Sequence, residues 1–158
     1  RVALGLALRG VARSAIDLSD GLAGDLPHVL QASSQAAGQP LGAELDEQAL
    51  IGLTAPWAQE AQEEQEAQPA CGKSALDAAA RLQAALAGGD DYELLFTAAP
   101  GARQAVLAAA AAAQTPVTRA GRVTRAEAAA PASIFLRAAS GALRPLPAEA
   151  RGFDHFAA

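Results

Sequence analysis

The chain has 158 residues, of which 51% are apolar and 4% aromatic, with a net charge of −5 and one cysteine. That length is enough for one buried core, filled mainly by alanine, leucine and valine. The acidic balance argues against a nucleic-acid-binding domain, which needs a basic patch; no apolar run reaches transmembrane length, and a lone Cys71 excludes an intrachain disulfide.

In chain order, Val2 to Leu8 reads as a short helix. It is apolar and flanked by arginines, yet it lacks a signal-peptide cleavage region and runs straight into the next segment. Ser14 to Leu18 reads as a strand and Ser19 to Ser34 as a helix, with Leu22, Leu26, Val29 and Leu30 at helical spacing. The interior Pro27 is expected to kink that helix or shift its start. Gly42 to Leu45 follows as a strand and Glu47 to Leu53 as a short helix. Gln59 to Gln68 is rich in Glu and Gln and reads as a solvated linker within a variable loop over 55–73. Ser74 to Leu86 is expected to be helical, Tyr92 to Ala98 a strand, and Ala102 to Gln114 an Ala-rich helix. Val117 to Val123 and Ser133 to Arg137 read as strands, the second followed by a Ser140-Gly141 turn. Arg119, Arg122 and Arg125 fit a solvated strand face. The pattern predicts an α+β domain with helices layered on a mixed β-sheet.

The chemistry concentrates at Ile16-Asp17-Leu18-Ser19-Asp20-Gly21-Leu22, where a strand turns into a helix. A helix N-terminus offers free backbone N–H groups and a partial positive charge, and Gly21 permits close approach to the backbone. Two aspartates repel phosphate unless a cation intervenes, and Mg²⁺ suits hard carboxylate oxygens and phosphate together. The same residues also fit a plain helix cap, because Ser and Asp are common there. A second acidic cluster, Gly88-Gly89-Asp90-Asp91-Tyr92-Glu93-Leu94, lies between a helical run and a strand, where binding residues tend to occur. By contrast, Cys71-Gly72-Lys73-Ser74 only imitates a P-loop: Ala67 stands where its first glycine belongs, and no apolar strand precedes it.

Together with Gly152-Phe153-Asp154-His155-Phe156, these segments resemble thiamine-monophosphate kinase, specifically its C-terminal domain. The matching pieces run from Ser14 through Leu22, Asp25, Leu26 and His28, then Gly88 to Leu94, then Gly152 to Phe156. The wider group includes aminoimidazole ribonucleotide synthetase, whose C-terminal domain has the layered α+β architecture predicted above. The resemblance implies transfer of a phosphoryl group from ATP to thiamine monophosphate, giving thiamine diphosphate, with Mg²⁺ ions neutralising charge. It implies that Asp17 and Asp20 ligate Mg²⁺, that Ser19 contacts ATP, and that Asp90 and Phe153 contact the thiamine phosphate substrate. Asp90 occupies a position that is usually Glu in this family. It assigns no role to His28 or His155 and no protein nucleophile.

The chain starts with Arg1 and contains no methionine, so it reads as a fragment, residues 1–158 forming one C-terminal domain without the N-terminal ATP-binding domain. On that reading the fragment alone is inactive, and the full protein is a cytoplasmic homodimer with no nucleic-acid or membrane partner. The alternatives are a non-catalytic binding or dimerisation domain of the same fold and a sibling ATP-dependent enzyme with a different substrate.

Overall fold

The first apolar segment, Val2–Ala7, forms a short helix (α1) that buries Leu4 and leaves Val2 and Leu6 exposed. In this computed structural model, which describes residues 1–53, 77–89 and 93–147, strand β1 (Ala12–Asp17) follows. Its exposure alternates, so Arg13, Ala15 and Asp17 share the outer face.

Helix α2 spans Leu22–Ala37, three residues later than the apolar spacing predicts at its start. The reason is local. Gly21, at φ 83°, is the N-cap, and Ser19 and Asp20 lie outside the helix with their backbone N–H groups bonded elsewhere. Pro27 lies inside α2, where its nitrogen cannot donate to the carbonyl four residues back. At the far end Ser34 ties the helix to the next strand. Its hydroxyl donates to the Leu30 carbonyl (2.7 Å) and accepts from the Leu41 N–H (2.9 Å).

Strand β2 (Leu41–Asp46) leads directly into α3 (Glu47–Leu53), whose first turn is capped by Asp46 accepting from the Ala49 N–H at 3.0 Å. Helix α4 (Ala78–Ala87) begins after Asp77, which accepts from the Ala80 N–H at 2.8 Å; the expected start at Ser74 lies outside the described residues. The expected linker, the 55–73 loop and the P-loop mimic lie outside the described residues. Strand β3 is Leu94–Ala98, and Tyr92, where it was expected to begin, also lies outside them. A 3-10 turn at Pro100–Ala102 enters α5 (Arg103–Ala112). Strand β4 is Gly121–Arg125, displaced toward the C-terminus from the expected Val117 to Val123, because only these residues pair with β2. Strand β5 is Ile134–Arg137, and past the turn at Gly141 a short β6 (Leu143–Pro145), not foreseen from the sequence, pairs back onto it.

These strands form two sheets. The larger has the order β4-β2-β5-β6 and is mixed: β2 runs antiparallel to β4 and parallel to β5, and β6 returns antiparallel to β5. The smaller is an antiparallel ribbon of β1 and β3, in which the hydroxyls of the facing Ser14 and Thr97 meet at 2.6 Å. The expected α+β class and mixed sheet are present. Splitting off β1–β3 as a ribbon was not expected.

The buried residues form two clusters, and the ribbon contributes to both through Leu95 on one side and Leu94 and Phe96 on the other. Leu22, Leu26 and Leu30 of α2, Leu50 of α3, and Leu82 and Leu86 of α4 pack on Ala43, Leu45 and Leu136 of the mixed sheet. Leu4, Leu8 and Ala109 pack with Leu94 and Phe96 against the ribbon. On the other face of the mixed sheet, Glu44 is paired with both Arg122, directly opposite on β4, and Arg137 on β5. Two cations on one part-buried carboxylate tie three adjacent strands together, so Arg122 is less free than a solvated strand face would suggest.

Burying a leucine completely stabilises by about 1.5–3 kcal/mol, and truncation adds the penalty of a cavity. Leu136 is fully buried, whereas its neighbour Phe135 on the opposite face is 38% exposed. In denaturant titrations Leu136→Ala is therefore expected to cost about 2–5 kcal/mol and Phe135→Ala clearly less. Equal costs would show that the core lies elsewhere.

Candidate functional site

The elbow between β1 and α2 is shaped by three contacts. The ribbon ladder continues one step beyond β1, since the Leu18 N–H donates to the Glu93 carbonyl at 2.8 Å. Beyond it the chain turns sharply through Ser19, Asp20 and Gly21. Asp25, in the first turns of α2, folds back over this turn: its Oδ2 accepts from the backbone N–H groups of Ser19 (2.9 Å) and Asp20 (3.0 Å). At 3% exposure Asp25 is the one buried charged residue among those described. Its carboxylate is tolerated there because two amides satisfy it.

The third contact joins the two acidic motifs. A Cβ placed on Gly21 would lie 2.9 Å from the carbonyl oxygens of both Leu86 and Gly88, and one placed on Gly89 would lie 2.6 Å from the Ser19 carbonyl oxygen. The backbones of the elbow and of the α4 C-terminus thus touch with no side chain between them, which glycine alone allows. Residues almost seventy positions apart in sequence become neighbours, and the chain leaves Gly89 toward Asp90 from beside Ser19 and Asp20.

The predicted site residues divide accordingly. Asp17 is exposed on the outer face at the end of β1, Ser19 is exposed and Asp20 is half-buried. Ser19 Oγ makes one long contact, 3.4 Å, to Asp20 Oδ1, and no described side chain pairs with Asp17. These groups are accessible and largely uncommitted. Asp90 and Phe153, together with Asp91 and His155, lie outside the described residues. His28 is exposed on α2.

One expectation changes in kind. Amides at the elbow were expected to attract phosphate directly, but those of Ser19 and Asp20, which precede the helix, are already bonded to Asp25. What the elbow offers to the outside is carboxylate and hydroxyl oxygen, the donor set of a hard cation. Mg²⁺ commonly takes one or two protein carboxylates and completes its shell with phosphate and water, so Asp17 and Asp20 fit it as a partial ligand set. Among the described residues no three acidic, histidine or cysteine side chains come together as a complete metal site. Asp25 itself carries no role in the reading from sequence. The signal was an aspartate in helical register with the apolar stripe Leu22, Leu26 and Val29, a place where a charge has to be paired.

Glu93, the last acidic residue of the second motif, is held by the Arg1 guanidinium, with Nε 2.7 Å from one carboxylate oxygen. That hydrogen bond holds the Glu93 carboxyl below the ordinary carboxylate range.

Fold and site together define a layered α+β domain with an acidic elbow clamped against a Gly-Gly turn. No protein-family model matches the chain. Curated relatives do. The chain is 34% identical over 157 residues to thiamine-monophosphate kinase of Escherichia coli K12, covering 99% of this chain and 39% of that protein. It is 39% identical over 103 residues to thiamine-monophosphate kinase of Haemophilus influenzae, covering 63% of this chain and 24% of the relative. Among solved structures, thiamine-monophosphate kinase of Stenotrophomonas maltophilia superposes with a TM-score of 0.58 at 30% identity, covering 86% of this chain and 34% of that one. A Thermus thermophilus protein matches equally well, with a TM-score of 0.58 at 29% identity, covering 93% of this chain and 37% of that one. Along nearly its whole length the chain is therefore a homologue of thiamine-monophosphate kinase, and it spans about two-fifths of the Escherichia coli relative's length. No helix among the described residues is long and apolar enough to cross a membrane.

Two outcomes follow from this geometry. Gly21→Ala and Gly89→Ala each force backbone apart and are expected to lower stability by more than about 2 kcal/mol in denaturant titrations. Gly5→Ala, with open space around it in α1, is the control and is expected to be neutral or stabilising. The Glu93 pairing is fully present above the ordinary carboxylate pKa and is lost as pH falls through the lowered value. Both partners are nearly half exposed, so its effect on stability is small. A side-chain NMR titration should accordingly find Glu93 ionising below the usual range, and Arg1→Ala should return it upward.

Proposed function

We propose that this chain is the C-terminal domain of a two-domain kinase that phosphorylates thiamine monophosphate with ATP, forming thiamine diphosphate and ADP. The observation that carries the reading is the backbone contact of the Ser19–Gly21 elbow with Gly88–Gly89, which joins the two acidic motifs in a chain homologous to thiamine-monophosphate kinases. In the proposed site Asp17 and Asp20 hold Mg²⁺, Ser19 contacts ATP, and Asp90 and Phe153 contact the thiamine phosphate. Mg²⁺, when bound, neutralises charge on the phosphate oxygens. A terminal phosphate oxygen of the substrate forms the new bond to the γ-phosphorus while the bond from that phosphorus to the β–γ bridging oxygen breaks and ADP departs. Such a transfer depends on positioning and charge neutralisation, and it requires no nucleophile from the protein.

The division of labour suits what the elbow offers. Its oxygens fit cation binding, and a cation is what lets an acidic surface meet a triphosphate. A flat cationic ring against Phe153 would gain about 0.5–2 kcal/mol. An N-terminal domain supplies the remaining ATP and Mg²⁺ contacts, and the full protein acts as a cytoplasmic homodimer.

The test is ATP-dependent formation of thiamine diphosphate by the two-domain protein. Asp17→Asn and Asp20→Asn are each expected to reduce the rate by about 10²-fold or more at a fixed low Mg²⁺ concentration, with partial recovery as Mg²⁺ is raised. Unchanged activity in both variants would overturn the site assignment, and no product from the unsubstituted protein would overturn the kinase. Phe153→Ala is expected to raise KM for thiamine monophosphate by about 2–30-fold with little change in KM for ATP. An unchanged KM for thiamine monophosphate would favour a related ATP-dependent enzyme acting on another substrate.

A further inference from the structure

We infer that Asp25 is the positioning residue that makes the elbow a cation site instead of an anion site, an inference that rests on the proposed kinase reading. Two consecutive backbone N–H groups at a turn entering a helix ordinarily form an anion-binding concavity. Here that concavity is already filled from within. Asp25 Oδ2 accepts from both Ser19 N–H and Asp20 N–H, and the residue is 3% exposed, so an external phosphate oxygen would have to displace a buried carboxylate to reach these amides.

The internal anion has two consequences. It fixes the peptide units that carry the Ser19 and Asp20 side chains, whose oxygens are committed, among the described residues, only to the long contact with each other. It also occupies two amides that would otherwise bind phosphate directly, so at Ser19 and Asp20 phosphate reaches this wall of the site through the cation. From the opposite side the turn cannot relax. Gly21 is in contact with the carbonyls of Leu86 and Gly88, and the Ser19 carbonyl lies against Gly89. Asp25 touches neither ATP nor substrate in this scheme and acts entirely through Ser19 and Asp20.

A plain helix-stabilising aspartate would lower stability when removed and leave the metal requirement alone. A positioning residue moves the metal requirement. In the two-domain protein, Asp25→Ala is expected to raise the Mg²⁺ concentration for half-maximal activity by about tenfold or more, while kcat at saturating Mg²⁺ changes by less than about threefold. Asp25→Asn keeps an oxygen able to accept from both amides and is expected to restore the half-saturation to within about threefold. Inorganic phosphate should also inhibit Asp25→Ala more strongly than the unsubstituted protein, since the vacated amides become available to it.

If Asp25→Ala does not fold, as judged by thermal unfolding, Asp25→Glu takes its place. It keeps the charge but displaces the oxygens, and it is expected to raise the Mg²⁺ half-saturation likewise. An unchanged Mg²⁺ half-saturation in the folded variant, or an Asp25→Asn protein no better than Asp25→Ala, overturns the inference. Asp17→Asn and Asp20→Asn measured in parallel separate the two levels. If they leave the Mg²⁺ dependence unmoved, the kinase site reading fails; if they shift it and Asp25→Ala does not, only the role of Asp25 fails.

Discussion

The structure depends on a place where two backbones meet without side chains. Gly21 lies against the carbonyls that end α4, and Gly89 lies against the Ser19 carbonyl, at separations a single Cβ would violate. Leu22 and Leu26 just after this contact and Leu82 and Leu86 just before it belong to one core cluster. Close approach of the turns and burial of the leucines are therefore one event: the helices can share a core at this depth because their ends are glycine. The same contact brings Gly88 and Gly89, with which the second motif opens, against the first.

Electrostatics complete what packing begins. A sharp turn leaves amides without ladder partners, and a buried amide left unbonded costs more than a typical hydrogen bond returns. Asp25 resolves this from inside the helix, at the expense of burying its own charge. The result is an inversion of polarity. A turn that by its backbone alone would favour anions presents acidic oxygens outward instead, which suits a metal-bridged phosphate and not a bare one.

The elbow also joins the two cores. β1 belongs to the ribbon packed by α1 and α5, while α2 packs on the mixed sheet and also on β1. Only Leu18 to Gly21 separate them. The Leu18–Glu93 backbone bond and the Arg1–Glu93 ion pair hold the ribbon side, and Asp25 holds the helix side. An acidic cluster at such a junction is constrained by both cores, so its geometry is more rigid than its exposure suggests.

Much was legible from residue order alone. Helical spacing located α2, α4 and α5, the span of α3 was read to the residue, and the apolar runs located β1, β2, β3 and β5. The acidic elbow and its relation to thiamine-monophosphate kinase were also legible, because motif chemistry and order are one-dimensional. Four things were not. The start of α2 at Leu22 depends on Asp25 reaching back to Ser19 and Asp20. The position of β4 depends on the register of Gly121–Arg125 against β2. β6 exists only because β5 offers it an edge, and among the described residues β1 and β3 pair only with each other although α2 packs on both sheets. Local propensity and periodicity are properties of a segment, and the sequence by itself determined those. Helix starts, strand registers and the internal partner of a buried carboxylate are set by atoms distant in the chain, and only the tertiary structure decided them.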